Sequence, residues 1–212
     1  MVKRNGDRHT YFRLRPDLTL QGILPSRSNL DVEDAIRGKS SWVLRERERM
    51  AGVEPVLRAG SIMFAGRRLT ISPDPFASTE FAPDPNAGRV TVRSRDSSAI
   101  RELTRRWFMK ESSAYAVRRV RELSPVVGVR ANRVDVREMQ KWGYCTREGR
   151  VSFSLQLAAL SDELKDYVVL HELTHLSVFD HSPRFRRALS SVCPDRRRLE
   201  KELDRVVPFK AS

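Results

Sequence analysis

The run His171-Glu172-Leu173-Thr174-His175 constrains this chain more than any other part of it. Four residues turn a helix by about 400°, so the two imidazoles lie about 40° apart on one face and one turn apart along the axis. Both can then reach one ion at about 2.0–2.1 Å. Glu172 lies next to His171 around the helix. From there it can take a proton from an activated water and return it to a leaving group without itself being a ligand. An open catalytic site needs a third protein ligand, and His181 is the first choice. A continuous helix would carry it about 9 Å beyond His175, so the helix has to end near 176–179 and the chain has to fold back. Asp180-His181-Ser182-Pro183 has the composition of a turn, and proline disfavours helix at the residue before it. Asp180, or Glu200 or Glu202 farther along, are alternative third ligands. The chain has four histidines, and three of them fall within these eleven residues. The expected cofactor is Zn²⁺ on His171, His175 and His181, although imidazoles also suit Mn²⁺ or Co²⁺. Glu172 is the expected general base.

The rest of the chain reads as an α+β protein. Residues 10–24 alternate loosely, as strands do. Asp31 to Met50 reads as a helix, with a capping-box pattern at Ser28 and Asp31. Ser61 to Ser72 reads as a hairpin turning at Ala65-Gly66. Residues 72–88 hold four prolines and read as a loop. Asp96 to Leu123 reads as one long core-facing helix, with Ile100, Leu103, Trp107, Ala114, Val117 and Val120 on its apolar stripe. Val134 and Val136 alternate, and Val151, Phe153 and Leu155 alternate more cleanly. If the strand 150–155 lies at a sheet edge, an extended peptide could add to it beside the metal. Lys141 to Thr146 reads as a turn or strand entry, with Trp142 and Cys145 either shaping the floor of the site or, the favoured reading, packing behind it. Ser161 caps the helix that carries the histidines, with Asp162 and Glu163 in its first turn. Ser182-Pro183 opens another helix, and Asp195 to Val206 forms a last one. The expected division is a β-rich N-terminal region with one helix over 1–95, then a metal-binding catalytic region with a small sheet over 96–212.

Composition removes several classes. With 40% hydrophobic residues among 212, the chain can bury a core. No run of 18 apolar residues exists, so no membrane span is expected. No apolar stretch follows the basic N-terminus, which reads as cytoplasmic rather than secreted. Two cysteines, Cys145 and Cys193, make neither a disulfide framework nor a four-cysteine zinc site. The net charge of +13 rests on 33 Arg and 7 Lys against 27 acids. An arginine-rich surface suits a nucleotide or nucleic acid, but the bases are spread along the chain rather than held in one block.

The segments Lys141-Trp142-Gly143-Tyr144-Cys145, Asp166-Tyr167-Val168-Val169-Leu170 running into the histidine motif, and Asp180-His181-Ser182-Pro183-Arg184-Phe185 resemble the motifs of the YgjP-like metallopeptidase family, which is related to SprT-like zincins. The match is specific over 141–185 and looser toward the N-terminus. The resemblance implies zinc on His171, His175 and His181, Glu172 as general base, and a zincin-like C-terminal half. Lys141, Tyr144, Ser154, Gln156 and Asp180 depart from the family pattern, which bears on substrate choice more than on metal binding. The leading expectation is a zinc-dependent peptidase acting on protein or peptide. Alternatives are a nucleoside triphosphate (UTP) pyrophosphatase on the same metal, or a nucleic-acid-associated module folded by zinc. Tyr144 or an arginine is a possible donor to the oxyanion, and the substrate-binding residues are unknown.

Overall fold

The computed structural model describes residues 2–4, 11–14, 20–25, 37–44 and 54–207. The chain divides into two compact units, Met1–Glu54 and Pro55–Ser212. The first holds a three-stranded sheet. Its strands are β1 (Val2–Arg4), β2 (Tyr11–Leu14) and β3 (Leu20–Pro25), in the order β1-β3-β2. β3 runs parallel to β1 and antiparallel to β2. Residues 40–44 are helical. The capping pattern at 28–31 and the ends of the expected helix 31–50 lie outside the described residues. A two-residue strand, β4 (Glu54–Pro55), follows.

The second unit opens with a five-stranded sheet. Its strands are β5 (Leu57–Arg58), β6 (Ser61–Phe64), β7 (Arg67–Pro73), β8 (Phe81–Asp84) and β9 (Arg89–Val92), in the order β5-β6-β7-β9-β8. The β6–β7 hairpin turns at Ala65 and Gly66, with φ of 47° and 76°, the two positive φ values that a tight two-residue hairpin needs. The expected loop over 72–88 is only partly a loop, because β7 runs to Pro73 and β8 lies inside it. β8 is an edge strand, where Pro83 removes no ladder hydrogen bond that the sheet needs. The buried residues of this sheet, Ile62, Leu69 and Val90 among them, belong to the same core as those of the helices. By packing, residues 57–92 therefore go with the helical half.

The long helix α1 spans Ser97–Val127. Asp96 caps it by accepting the Ala99 amide at 2.7 Å. Gly128, left-handed at φ 75°, ends it just after Pro125. Its buried row is Thr104, Phe108, Ser112, Ala116 and Val120, a strict four-residue spacing. Ala114 and Val117, expected on the apolar stripe, face solvent. The buried hydroxyl of Ser112 donates to the Leu155 carbonyl (2.6 Å) and accepts the Ala158 amide (2.9 Å). Those two residues lie in a one-turn 3₁₀ helix, Leu155–Ala159. The same turn accepts the hairpin amides of Ala65 and Gly66 at 3.0 and 2.8 Å. The hairpin and α1 are thus fastened to one segment, which leads directly into the histidine helix.

The remaining elements surround the motif residues. The strands β10 (Arg133–Arg137), β11 (Gly143–Cys145) and β12 (Arg150–Ser154) form a mixed sheet in the order β10-β12-β11. The helices α2 (Asp162–His175), α3 (Pro183–Val192) and α4 (Arg196–Leu203) follow, then β13 (Val206–Val207). The fold class is α+β. β12 is the central strand, parallel to β10 and antiparallel to β11, so the condition for peptide addition at 150–155, a free sheet edge, is not met. The edge nearest the histidines is β11.

Candidate metal centre

α2 begins where Ser161 accepts the Leu164 amide, and it ends at His175. The amides of Leu176 and Ser177 then bond three residues back, to Leu173 and Thr174. This tightened turn breaks the helix where the position of His181 required a break. Asp180 accepts the Ser182 amide at 3.1 Å, which shapes the return. Ser182 then caps α3 by accepting the Phe185 amide, with Pro183 in the first turn.

The result brings three imidazoles together. The Nε2 atoms of His171, His175 and His181 lie 3.1–3.2 Å from one another. Three nitrogens held about 2.0–2.1 Å from a tetrahedral ion would be about 3.3–3.4 Å apart, so the cluster fits one ion with only a slight opening. His175 Nδ1 faces the Val178 carbonyl at 3.0 Å. A carbonyl only accepts, so Nδ1 carries the proton and Nε2 turns its lone pair toward the cluster. Burial, then the neighbouring His175 and His181, pull the His171 pKa down to about 3. Burial likewise lowers that of His175. The imidazoles of His171 and His175 are therefore held neutral, the form that binds a cation. Among the described residues no other group of three or more His, Cys, Asp or Glu is arranged to hold a metal.

Phe185 fixes the geometry from behind. Its buried ring stacks on His175 at 4.3 Å and meets the rings of His171 and His181 at 5.0 Å each. The alternative third ligands are engaged elsewhere. Asp180 holds its own turn, Glu200 pairs with Arg196, and Glu202 pairs with Arg198.

Glu172 is 7% exposed. Burial pushes its carboxyl up to about 8, against the pull of the Lys141 ammonium. It fits beside β11 only because residue 143 is glycine. A Cβ there would lie 2.7 Å from the Glu172 Cγ and 2.9 Å from Oε1, closer than any real contact. Gly143 does not have a positive φ, so the requirement is for space and not for backbone freedom. Tyr144 alternates to the other face of the strand, where the Arg137 guanidinium lies 5.4 Å from its ring, and it offers no donor on the Glu172 side. Trp142 does not simply pack behind the site. With Gly143 it walls a cavity that His171 and Glu172 also line. Cys145 is half-buried, its thiol pushed up to about 11 by burial and by Glu172.

Sequence reasoning gave no role to the clamp that anchors α2. Arg119 on α1 donates from Nε and Nη2 to the two oxygens of Asp166, at 2.6 and 2.5 Å. The Tyr115 hydroxyl donates to Asp166 Oδ1 at 2.5 Å. The appearance of Asp166 within the motif run was the available signal.

A fold and a histidine cluster of this kind define a metal-dependent hydrolase of the peptidase type. The chain belongs to the YgjP-like metallopeptidase family, whose domain matches residues 8–206. No curated protein matches it significantly. Among solved structures, the crystal structure of the metallopeptidase zymogen abylysin from Pyrococcus abyssi aligns at 21% identity, covering 42% of this chain and 90% of that one, with a TM-score of 0.38. Among the described residues no helix is long and apolar enough to cross a membrane.

Proposed function

We propose that the protein is a zinc-dependent peptidase, with Zn²⁺ held by His171, His175 and His181 and with Glu172 as general base. The observation that carries the reading is the convergence of three imidazole Nε2 atoms one helical position from a buried glutamate. When bound, zinc would polarise the scissile carbonyl and make water acidic enough to deprotonate near neutral pH. Glu172 would accept the proton of the attacking water and pass it to the leaving nitrogen. The Lys141 ammonium acts on that carboxylate and is the nearby cation available to balance it as its proton moves. The free edge of β11 gives an extended substrate a row of main-chain partners, and Gly143 brings that edge up to Glu172.

The cavity beside Glu172 is lined by the carboxylates Glu200 and Asp204 and by no arginine or lysine. Such a wall repels a triphosphate, which argues for peptide over nucleotide. The test is hydrolysis of an unfolded protein and of UTP by zinc-loaded protein, side by side, with Glu172→Ala as the blank. Cleavage of protein alone that depends on Glu172 is the expected result. Pyrophosphate release alone would move the function to nucleotides.

A further inference from the structure

The cavity that opens beside Glu172 has a volume of about 240 Å³. Pockets that take whole small molecules run to about 300–1,000 Å³, so this one suits a single side chain. It lies between β11 and α4, over the face of α2 that leads to the metal ligands. Its walls separate by chemistry. Tyr167, Val168 and Leu203 supply apolar surface, and Glu200 on α4 and Asp204, the residue that ends it, supply carboxylates. An anionic wall is notable in a chain with 40 basic and 27 acidic residues. Glu200 Oε2 pairs with the buried Arg196 at 3.2 Å, whereas Asp204 makes no salt bridge among the described residues. Glu172, more than nine-tenths buried, lines the same cavity. No described residue makes a hydrogen bond to its carboxylate.

We infer that this cavity is the specificity pocket of the peptidase and that it takes a lysine or arginine side chain from the residue adjoining the scissile bond. The inference rests on the peptidase reading. His171 and Glu172 line both the pocket and the reaction centre, so the side chain that fills the one belongs to a residue next to the bond cut at the other. A long aliphatic stem packs on Tyr167, Val168 and Leu203. The charged head reaches Asp204, with Glu200 beside it. An acidic side chain would meet Asp204, which makes no salt bridge among the described residues, and a short neutral one would leave Asp204 without a partner.

The experiment is cleavage of a mixed-sequence peptide library by zinc-loaded protein, with the cut sites read by mass spectrometry. At one position flanking the cut, Lys and Arg are expected over Asp and Glu by about tenfold or more. Asp204→Asn combined with Glu200→Gln reduces that preference to within about twofold, and Asp204→Lys turns it toward acidic residues. Both positions are exposed, on α4 and at its C-terminal cap, and circular dichroism checks that the variants fold. A binding readout runs alongside. Calorimetry of the Glu172→Gln protein is expected to give about tenfold tighter binding of an arginine-containing peptide than of its norleucine counterpart, a difference lost in Asp204→Asn. Cleavage without a cationic preference, or a preference untouched by the α4 substitutions, overturns the pocket assignment and leaves the peptidase standing. Absence of cleavage with zinc bound counts against the peptidase itself. Calorimetry then decides the pocket alone, and equal affinity for the two peptides overturns it.

Discussion

A carboxyl group buried against its own ionisation should weaken the protein that carries it as the pH rises, and Glu172 makes this measurable in metal-free protein. Burial raises its pKa from the ordinary 4.5 to about 8. Between those values the folded chain keeps a proton that the unfolded chain has released. Its contribution to stability is therefore full below about pH 4.5 and is lost as the pH rises through about 8. At about 1.4 kcal/mol per pH unit, the separation caps the loss at about 5 kcal/mol. Water admitted through the adjoining cavity eases the charging of the carboxylate and brings the expected loss to about 2–3 kcal/mol. Glutamine keeps the shape of the protonated acid and cannot ionise. Chelator-treated wild type and Glu172→Gln should melt together near pH 4.5. Near pH 9 the variant should melt higher by about 5–10 °C. Differential scanning calorimetry of both proteins across this range cancels every other titrating group, because only residue 172 differs. A difference in melting temperature that stays flat with pH, or that favours wild type at high pH, would refute the claim that Glu172 is held against its own ionisation.

Other substitutions probe the supports of the site. Gly143→Ala should lower kcat by about 10²-fold or more by displacing the Glu172 carboxylate, while zinc content measured by atomic absorption stays stoichiometric. His181→Ala should lose tight zinc, and a chelator should abolish activity in wild type with recovery on zinc addition; retained zinc in the variant would point to another third ligand. Ser112→Ala removes a hydroxyl that serves both Leu155 and Ala158, and the buried amide it leaves unpaired should cost about 1–3 kcal/mol in urea denaturation. Asp166→Asn should cost about 1–2 kcal/mol by weakening its pairing with the partly buried Arg119, discounted for the exposure of both side chains.

The parts of this protein that could be read from its sequence are those whose chemistry is local. Ligand spacing on a helix is fixed by 3.6 residues per turn, so His171 and His175 declared themselves. Pro183 and the Asx turn at Asp180 declared the break that returns His181. What could not be read depends on neighbours far along the chain. The alternation of Val151 and Phe153 identified a strand but not its position in the sheet, and the structure gives it partners on both sides. β11 is three residues long and begins with glycine, a weak strand signal by itself. α1 misled for another reason. An apolar stripe assumes that polar groups avoid the core, whereas Thr104 and Ser112 are buried with their hydroxyls bonded, and Val117 is 57% exposed. Pro83 hid β8 because proline excludes a central strand but not an edge one.

The arginine excess shows how a true compositional fact can point away from the site. A charge of +13 suggested an anionic partner, yet several of the arginines are committed to the fold. Arg119 grips Asp166 and Glu122, Arg150 and Arg133 both hold Asp135, and Arg198 bonds Glu163 across α2 and α4. The pairs Arg119–Asp166, Arg150–Asp135 and Arg198–Glu163 join separate elements, a role lysine fills less well. Beside the histidine cluster the sign reverses, with the carboxylates of Glu200 and Asp204 lining one cavity. Net charge is a sum over the whole surface, whereas recognition is set by the few groups within a Debye length of the ligand, about 8–10 Å at physiological salt. A substrate approaching this site therefore meets a local acidic field set within a basic protein, and a cationic peptide side chain gains from the first while the second repels it until it is close.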